Sequence, residues 1–249
     1  MSPVAAFWAL VPAAGVGVRM GSERPKQYLD LCGRPLIEHS LAPLLEHPAL
    51  QGLVVSLASS DGWWASTGLG RHPLVAVTNG GAERCQSVLN GLDWLHQRAG
   101  PDAWVLVHDA ARPCLRRADL DRLLETLAAH PVGGLLGVPV RDTIKQVDPD
   151  RTVLTTLVRD GLWQAYTPQM FRLGLLRQAL GAALARGILV TDEAQAMELA
   201  GFRPQFVEGR ADNLKVTRPE DLPLAAFYLH QIQAERTGRP APLASEMNL

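Results

Sequence analysis

LVPAAGVGVRMGSERPKQY, residues 10–28, is an apolar strand that runs into a glycine-rich loop carrying Arg19 and Lys26. Gly15 and Gly17 lack Cβ, so the backbone can adopt dihedrals closed to other residues and bring its N–H groups close to phosphate oxygens. Arg19 and Lys26 add the positive charge. Pro25 fixes φ directly before Lys26 and drives Arg24 toward an extended conformation, which stiffens that side of the loop. Two better-known phosphate loops do not fit. A dinucleotide fingerprint needs a third glycine where Met20 stands, and a P-loop needs Gly-Lys-Ser/Thr, a tripeptide this sequence does not contain. Taken alone, the loop is explained equally well as a charged surface turn. The strand in front and the Pro-Lys pair behind tip the reading toward polyphosphate binding.

At 249 residues, with 47% hydrophobic and 20% charged residues, the composition is that of a globular protein with a sizeable core. A net charge of −1 gives no basic field for nucleic acid or an anionic membrane, so any polyanion must meet a local cluster of cations. Cys32, Cys85 and Cys114 are odd in number and widely spaced, which reads as idle thiols in a reducing, cytoplasmic setting. The apolar stretch before the loop has no basic residue ahead of it and reads as a strand, not a signal peptide. No apolar run reaches the roughly 18 residues of a membrane span.

Strands are expected at 7–11, 53–57, 74–77, 104–107 and 134–138, alternating with amphipathic helices. Cys85, Val88, Leu92 and Leu95 form one apolar stripe, and Leu120, Leu123, Leu124 and Leu127 another. That alternation predicts an α/β fold, a mostly parallel, Rossmann-like sheet with helices on both faces, whose ligands collect beyond the carboxyl ends of the strands. Pro35 suits the first turn of a helix ending near Glu46, with Pro43 expected to end or kink it early. Residues 143–147 and 152–158, joined by Asp148-Pro149-Asp150, break the alternation as a β-hairpin within an arm spanning about 139–164. One domain is expected over 1–234, with a disordered tail from 235 to 249. Asp148-Pro149-Asp150 and Asp119-Leu120-Asp121 could be D-x-D metal motifs of a glycosyltransferase. The first is better read as turn chemistry, and the second places its acids on different faces of a helix.

AAGVGVRM followed by PKQY resembles nucleotidyltransferases that join a phosphorylated sugar to a nucleoside triphosphate. With HDAARP (108–113), PVRDT (139–143), LWQAYTPQMF (162–171), TDEA (191–194) and EGRADNLKVTRPEDL (208–222), the likeness extends over most of the chain. Together these motifs resemble the 2-C-methyl-D-erythritol 4-phosphate cytidylyltransferases of non-mevalonate isoprenoid synthesis. The resemblance implies transfer of CMP from CTP to methylerythritol phosphate, with Mg²⁺ accompanying the CTP phosphates; ligands for the metal are not assigned. It implies catalytic roles for Arg19 and Lys26, and positioning of the attacking phosphate by Arg159 and Lys215. Arg112 and Thr143 fall nearby, with Asp109 and Thr167 toward the polyol. Ala13, Ala14, Gly15, Gly17, Gly81 and Ser87 match nucleotide-contacting positions. Ala82 and Val18 depart from the polar residues found in some relatives, which weakens side-chain contacts there but not backbone ones. The family's hairpin embraces a second subunit, implying a homodimer. His108 reads as structural.

Three competing readings remain at the level of sequence. A cytidylyltransferase for another polyol phosphate, such as ribitol 5-phosphate, would use similar groups. A non-catalytic nucleotide sensor would bind CTP without releasing pyrophosphate. A glycosyltransferase would turn over a nucleotide sugar.

Overall fold

The computed structural model describes residues 5–15 and 24–238. In chain order the elements are β1 (Phe7–Pro12), β2 (Asp30–Leu31), β3 (Arg34–Pro35), α1 (Leu36–Leu45), β4 (Leu50–Leu57), β5 (Val75–Asn79), α2 (Arg84–His96), β6 (Trp104–Val107) and α3 (Arg117–Leu127). They continue with β7 (Gly133–Pro139), β8 (Ile144–Val147), β9 (Val153–Leu157), β10 (Trp163–Arg172), α4 (Leu173–Ala185), α5 (Glu193–Leu199), β11 (Gln205–Glu208) and α6 (Asp221–Thr237). Seven strands form one sheet in the order β11-β7-β10-β6-β1-β4-β5. All neighbours are parallel except β10, which runs antiparallel to both β6 and β7.

Period-two alternation in the central strands divides the core. Phe7, Ala9 and Val11 of β1, with Trp104 and Leu106 of β6, face the layer of α1 and α3, while Leu10, Val105 and Val107 face α2, α4 and α5. Both faces are covered, which is why these strands read as nearly continuous apolar runs. A third cluster, including Leu36, Cys114, Val216 and Ala225, docks α6. The chain proceeds outward from β1 to β4 and β5, then returns to the other side of β1 with β6. The carboxyl ends of β1 and β6 therefore flank the point where strand order reverses, the crevice where open α/β sheets bind ligands.

Expected and observed elements differ in several places, among them β11, an edge strand of the central sheet that lies outside the expected strands. Pro35 is the extended residue before α1, not a member of its first turn, and Pro43 lies inside the helix without ending it early. The helix persists because Leu41 and Leu44 are fully buried against the sheet, which outweighs one missing donor in the last turn. The antiparallel β10 was not expected from a pattern of alternating strands and helices. Residues 235–237 belong to α6 and are not a disordered tail: Arg236 pairs with Glu46 at 2.8 Å, and Glu235 bonds Arg116. Residues 239–249 lie outside the described residues.

The expected hairpin is present as β8 paired with β9. Its turn is closed by Asp148, whose N–H donates to the Thr152 carbonyl at 3.0 Å and whose Oδ1 accepts from Thr152 N at 2.8 Å. Asp148 is thereby spent on the turn. Asp119 and Asp121 point apart, the first toward Arg122 and the Arg210 amide, the second toward Arg117 and His47. Neither D-x-D is a paired acid site.

Close backbone approach fixes one glycine in particular. A Cβ on Gly134 would sit 1.9 Å from the Gln205 carbonyl oxygen across the β7–β11 pair. Gly134→Ala is expected to destabilise the protein by about 3 kcal/mol or more, the upper range for overpacking, read as a loss in melting temperature.

Candidate active site

The carboxyl end of β1 continues as Ala13, Ala14 and Gly15, while Gly17, Val18 and Arg19 lie outside the described residues. Ala13 N–H donates to the Ser56 carbonyl at 2.8 Å, tying this loop to the end of β4. The turn after β5 packs against it. Gly80 N–H donates to Leu57 O at 2.6 Å, and a Cβ at Gly80 would lie 2.4 Å from that of Ala14 and 3.0 Å from Ser87 Oγ. Ser87 Oγ in turn accepts from Gly81 N–H at 3.0 Å. Ala13, Ala14, Gly81 and Ser87, the positions expected to meet nucleotide, thus converge, with Gly15 exposed and, among the described residues, no atom within 4 Å of where its Cβ would be. Such a pairing of a loop and a tight turn presents backbone groups, not side chains, to a ligand.

Pro25 adopts φ −57° and ψ 137° and starts a single 3-10 turn over Lys26–Tyr28. Gln27 Nε2 donates to Ala13 O at 2.8 Å, and Tyr28 OH donates to Asp61 Oδ2 at 2.7 Å, so the turn is anchored by the two residues that follow Lys26. Lys26 Nζ donates to Val216 O at 3.2 Å, which brings it to the segment carrying Lys215.

Asp109 follows β6 and gathers three cations. Arg84 reaches Oδ1 through Nε at 3.2 Å and Nη2 at 3.1 Å; Lys215 Nζ is 2.8 Å from Oδ2, and Arg112 Nε 3.6 Å from it. Burial alone would raise this carboxyl. The charges of Arg84, Lys215 and Arg112 overcome it and hold Asp109 far below the usual carboxylate range. Arg112 Nη1 donates to Asn213 O at 2.8 Å, and its guanidinium lies 4.5 Å from the Tyr166 ring centroid. Its Nε makes no hydrogen bond among the described residues.

The scaffold behind Asp109 is a closed chain. His108 is fully buried, and burial lowers its pKa to about 4, so it is neutral. Its Nε2 sits 3.2 Å from Arg112 O, an acceptor only, which places the proton there. Nδ1 therefore accepts the Thr167 hydroxyl at 2.9 Å, and Thr167 Oγ1 accepts the Asp109 N–H at 3.0 Å. Asn213 Nδ2 donates to Thr167 O at 2.9 Å. Thr167 is thus spent on orienting the Asp109 backbone.

Of the residues singled out by sequence, Asp109, Arg112, Thr167 and Lys215 form one cluster, and Lys26 joins it through Val216. Thr143 and Arg159 are exposed on the arm, where Arg159 bonds the Arg141 carbonyl. Sequence reasoning missed Arg84, Glu193 and Asn213. Glu193 and Asn213 lie inside motifs noted for their likeness, but neither carries a local signal of its partner, 109 residues away for Glu193 and 46 for Asn213.

Among the described residues, no group of three or more His, Cys, Asp or Glu converges as a metal cage. A separate groove of about 900 Å³ lies between α1 and α6, lined in part by Arg34, Arg116, Arg117 and Arg236. Each of these arginines is paired with a carboxylate, which leaves the groove without a surplus of positive charge for a triphosphate.

The neutral, buried His108 gives a signed pH dependence. Its folded pKa of about 4 lies below the ordinary 6.5, so the unfolded chain binds the extra proton. The stability this gives is full above about pH 6.5 and lost as pH falls toward 4, by on the order of 3 kcal/mol. Burial also lowers His39 and His47, which act with the same sign. Melting temperatures between pH 7.5 and 4.5 should therefore fall less steeply in His108→Gln than in wild type.

The 2-C-methyl-D-erythritol 4-phosphate cytidylyltransferase family matches residues 7–231. A cytidylyltransferase of that name from Pseudomonas aeruginosa is 60% identical over 222 residues, 89% of this chain and 95% of the relative. One from Pseudomonas fluorescens is 59% identical over 218 residues, 87% of this chain and 93% of the relative. The crystal structure of the Francisella tularensis enzyme of the same name superposes with a TM-score of 0.79 at 35% identity, covering 90% of this chain and 100% of that one. The chain belongs to the 2-C-methyl-D-erythritol 4-phosphate cytidylyltransferase family.

Proposed function

We propose that this protein transfers CMP from CTP to the phosphate of 2-C-methyl-D-erythritol 4-phosphate, giving 4-diphosphocytidyl-2-C-methyl-D-erythritol and pyrophosphate in non-mevalonate isoprenoid synthesis. The observation that carries the reading is the set of cations around Asp109, built beside the glycine loops at the point where strand order reverses. A substrate phosphate oxygen forms the new bond to the α-phosphorus of CTP while the bond to the bridging oxygen breaks and pyrophosphate leaves. The nucleophile is already ionised near neutral pH, so no general base is needed. His108, with both ring nitrogens engaged, could not serve as one. What the protein supplies is alignment and charge.

Lys26 and Arg19 stabilise the charge on the transferring phosphoryl group and leaving pyrophosphate, while Lys215 and Arg112 receive the attacking phosphate. Ala13, Ala14, Gly15, Gly17, Gly81 and Ser87 hold the nucleotide. A Mg²⁺ ion bound with CTP would neutralise triphosphate charge and take its ligands mainly from phosphate oxygens and water. Both Asp109 oxygens already face cations here, and the carboxylate is assigned to the polyol phosphate, not to the metal. The free thiols of Cys32, Cys85 and Cys114 support a reducing cytoplasmic setting. No helix among the described residues is long and apolar enough to cross a membrane.

The arm supports a homodimer. Val153 and Leu154 of β9 and Val158 just beyond it are 57%, 60% and 78% exposed, on an arm whose two-stranded sheet is marginal by itself. Covering it with a second copy would bury that surface and carry Arg159 and Thr143 toward the partner's site.

Pyrophosphate release should occur with CTP plus methylerythritol phosphate, and not with the other triphosphates, ribitol 5-phosphate or a nucleotide sugar. Silence with the first pair overturns the proposal. Lys26→Ala should lower kcat/KM about 100-fold, near 3 kcal/mol in the barrier, with little change in melting temperature. If Arg159 acts across the dimer, an equal mixture of the inactive Arg159→Ala and Lys215→Ala proteins should regain about a quarter of wild-type activity, because half the dimers are mixed and each contains one intact site. No recovery after subunit exchange would place Arg159 in its own subunit's site.

A further inference from the structure

Glu193 is 2% exposed, and it is not a residue that the sequence marks for chemistry. Its carboxylate grips Arg84 with two bonds, Oε1 to Nη1 at 2.6 Å and Oε2 to Nη2 at 3.2 Å. The other edge of the same guanidinium meets Asp109 Oδ1. Arg84 is thus held between two carboxylates, and despite the cost of burial their charges keep it firmly protonated. The planar fork of arginine suits this bridge in a way that lysine does not.

Each end of the bridge is fixed by its own local structure. Arg84 is the first residue of α2, where Glu83 and Gln86 form a reciprocal capping box. Glu193 opens α5, whose N-terminus is clamped to β10 by Gln169: its Oε1 accepts Ala194 N–H at 2.8 Å and its Nε2 donates to Asp192 Oδ2 at 3.0 Å. Asp192 also caps the helix by accepting Gln195 N–H. Neither partner can follow a moving Asp109. By contrast, the side chain of Lys215, on the other oxygen, is 36% exposed, sits on a flexible stem and makes a single contact to the carboxylate.

This asymmetry gives the two oxygens of Asp109 different roles. We propose that Glu193 is a positioning residue for the polyol phosphate: through Arg84 it pins Oδ1 of Asp109, so that Lys215 can leave Oδ2 for the substrate phosphate while Asp109 stays in place to accept a polyol hydroxyl. The inference rests on the function proposed above and deepens it. Until substrate arrives, Asp109 stands in for the incoming anion, keeping Lys215 and Arg112 from drifting apart by mutual repulsion. Once Lys215 has transferred, the Arg84–Glu193 clamp remains on Oδ1, with Arg112 at the longer distance of 3.6 Å from Oδ2 and Thr167 holding the Asp109 backbone.

The test is Glu193→Gln, which keeps shape and one acceptor but removes the charge, assayed with each substrate varied in turn and with calorimetric binding of methylerythritol phosphate. The expected result is a fall of about 10- to 100-fold in kcat/KM for methylerythritol phosphate, the scale of a displaced reacting group, with KM for CTP unchanged. A merely structural role would weaken both substrates together or only lower the melting temperature, and either result overturns the inference, as does unchanged polyol phosphate kinetics and binding. Should Glu193→Gln fail to fold, Arg84→Lys, which keeps a cation between the carboxylates but cannot span them, is expected to show the same split. Wild-type protein that binds methylerythritol phosphate but releases no pyrophosphate would overturn the proposed function. Weaker binding in Glu193→Gln would then still support the positioning role.

Discussion

One carboxylate, Asp109, makes the rest of this site tenable. Three cations within 3.6 Å of its oxygens would repel one another in a buried setting, and without a shared counter-ion at least one would turn outward to water. The carboxylate in turn tolerates burial only because those charges surround it. The protein therefore carries a preformed concentration of positive charge where two polyanions must meet. It keeps this charge although its net charge is −1. Local arrangement, not overall composition, supplies the field.

The fold produces that arrangement by bringing five remote segments to one edge of the sheet. Asp109 and Arg112 follow β6; Arg84 opens α2; Glu193 opens α5; Lys215 precedes Val216, whose carbonyl receives Lys26 and whose N–H donates to Ala111 O at 2.8 Å. The neutral His108 and Thr167 lock the backbone beneath Asp109. Polar residues that look catalytic in isolation are thereby divided into two kinds. Those with every donor and acceptor engaged inside the scaffold hold the geometry, and those with a flexible stem and a replaceable partner meet ligand.

Much of this was legible in the sequence. Central strands at 7–11, 53–57 and 104–107 stood out because both faces are buried, and the stripes of α2 and α3 because only one face is. The hairpin was readable from Asp148-Pro149-Asp150, a turn whose side chain closes its own loop. The strand β10 was hidden because its buried half, from Thr167 to Phe171, follows an exposed half and no turn marks the change. Pro43 misled because local propensity favoured a break that burial of Leu41 and Leu44 overrides. In the site, charged residues within motifs, Asp109, Arg112 and Lys215, could be singled out. Arg84 and Glu193 could not, since their 109-residue separation is closed only by tertiary structure.

The most direct test is the position of Lys215 in a crystal structure with CTP and a non-reacting analogue of the polyol phosphate. The account predicts Lys215 Nζ on the ligand phosphate and away from Asp109 Oδ2, with Arg84 still bridging Asp109 and Glu193. A bound phosphate elsewhere, with Lys215 still on Asp109, would contradict it.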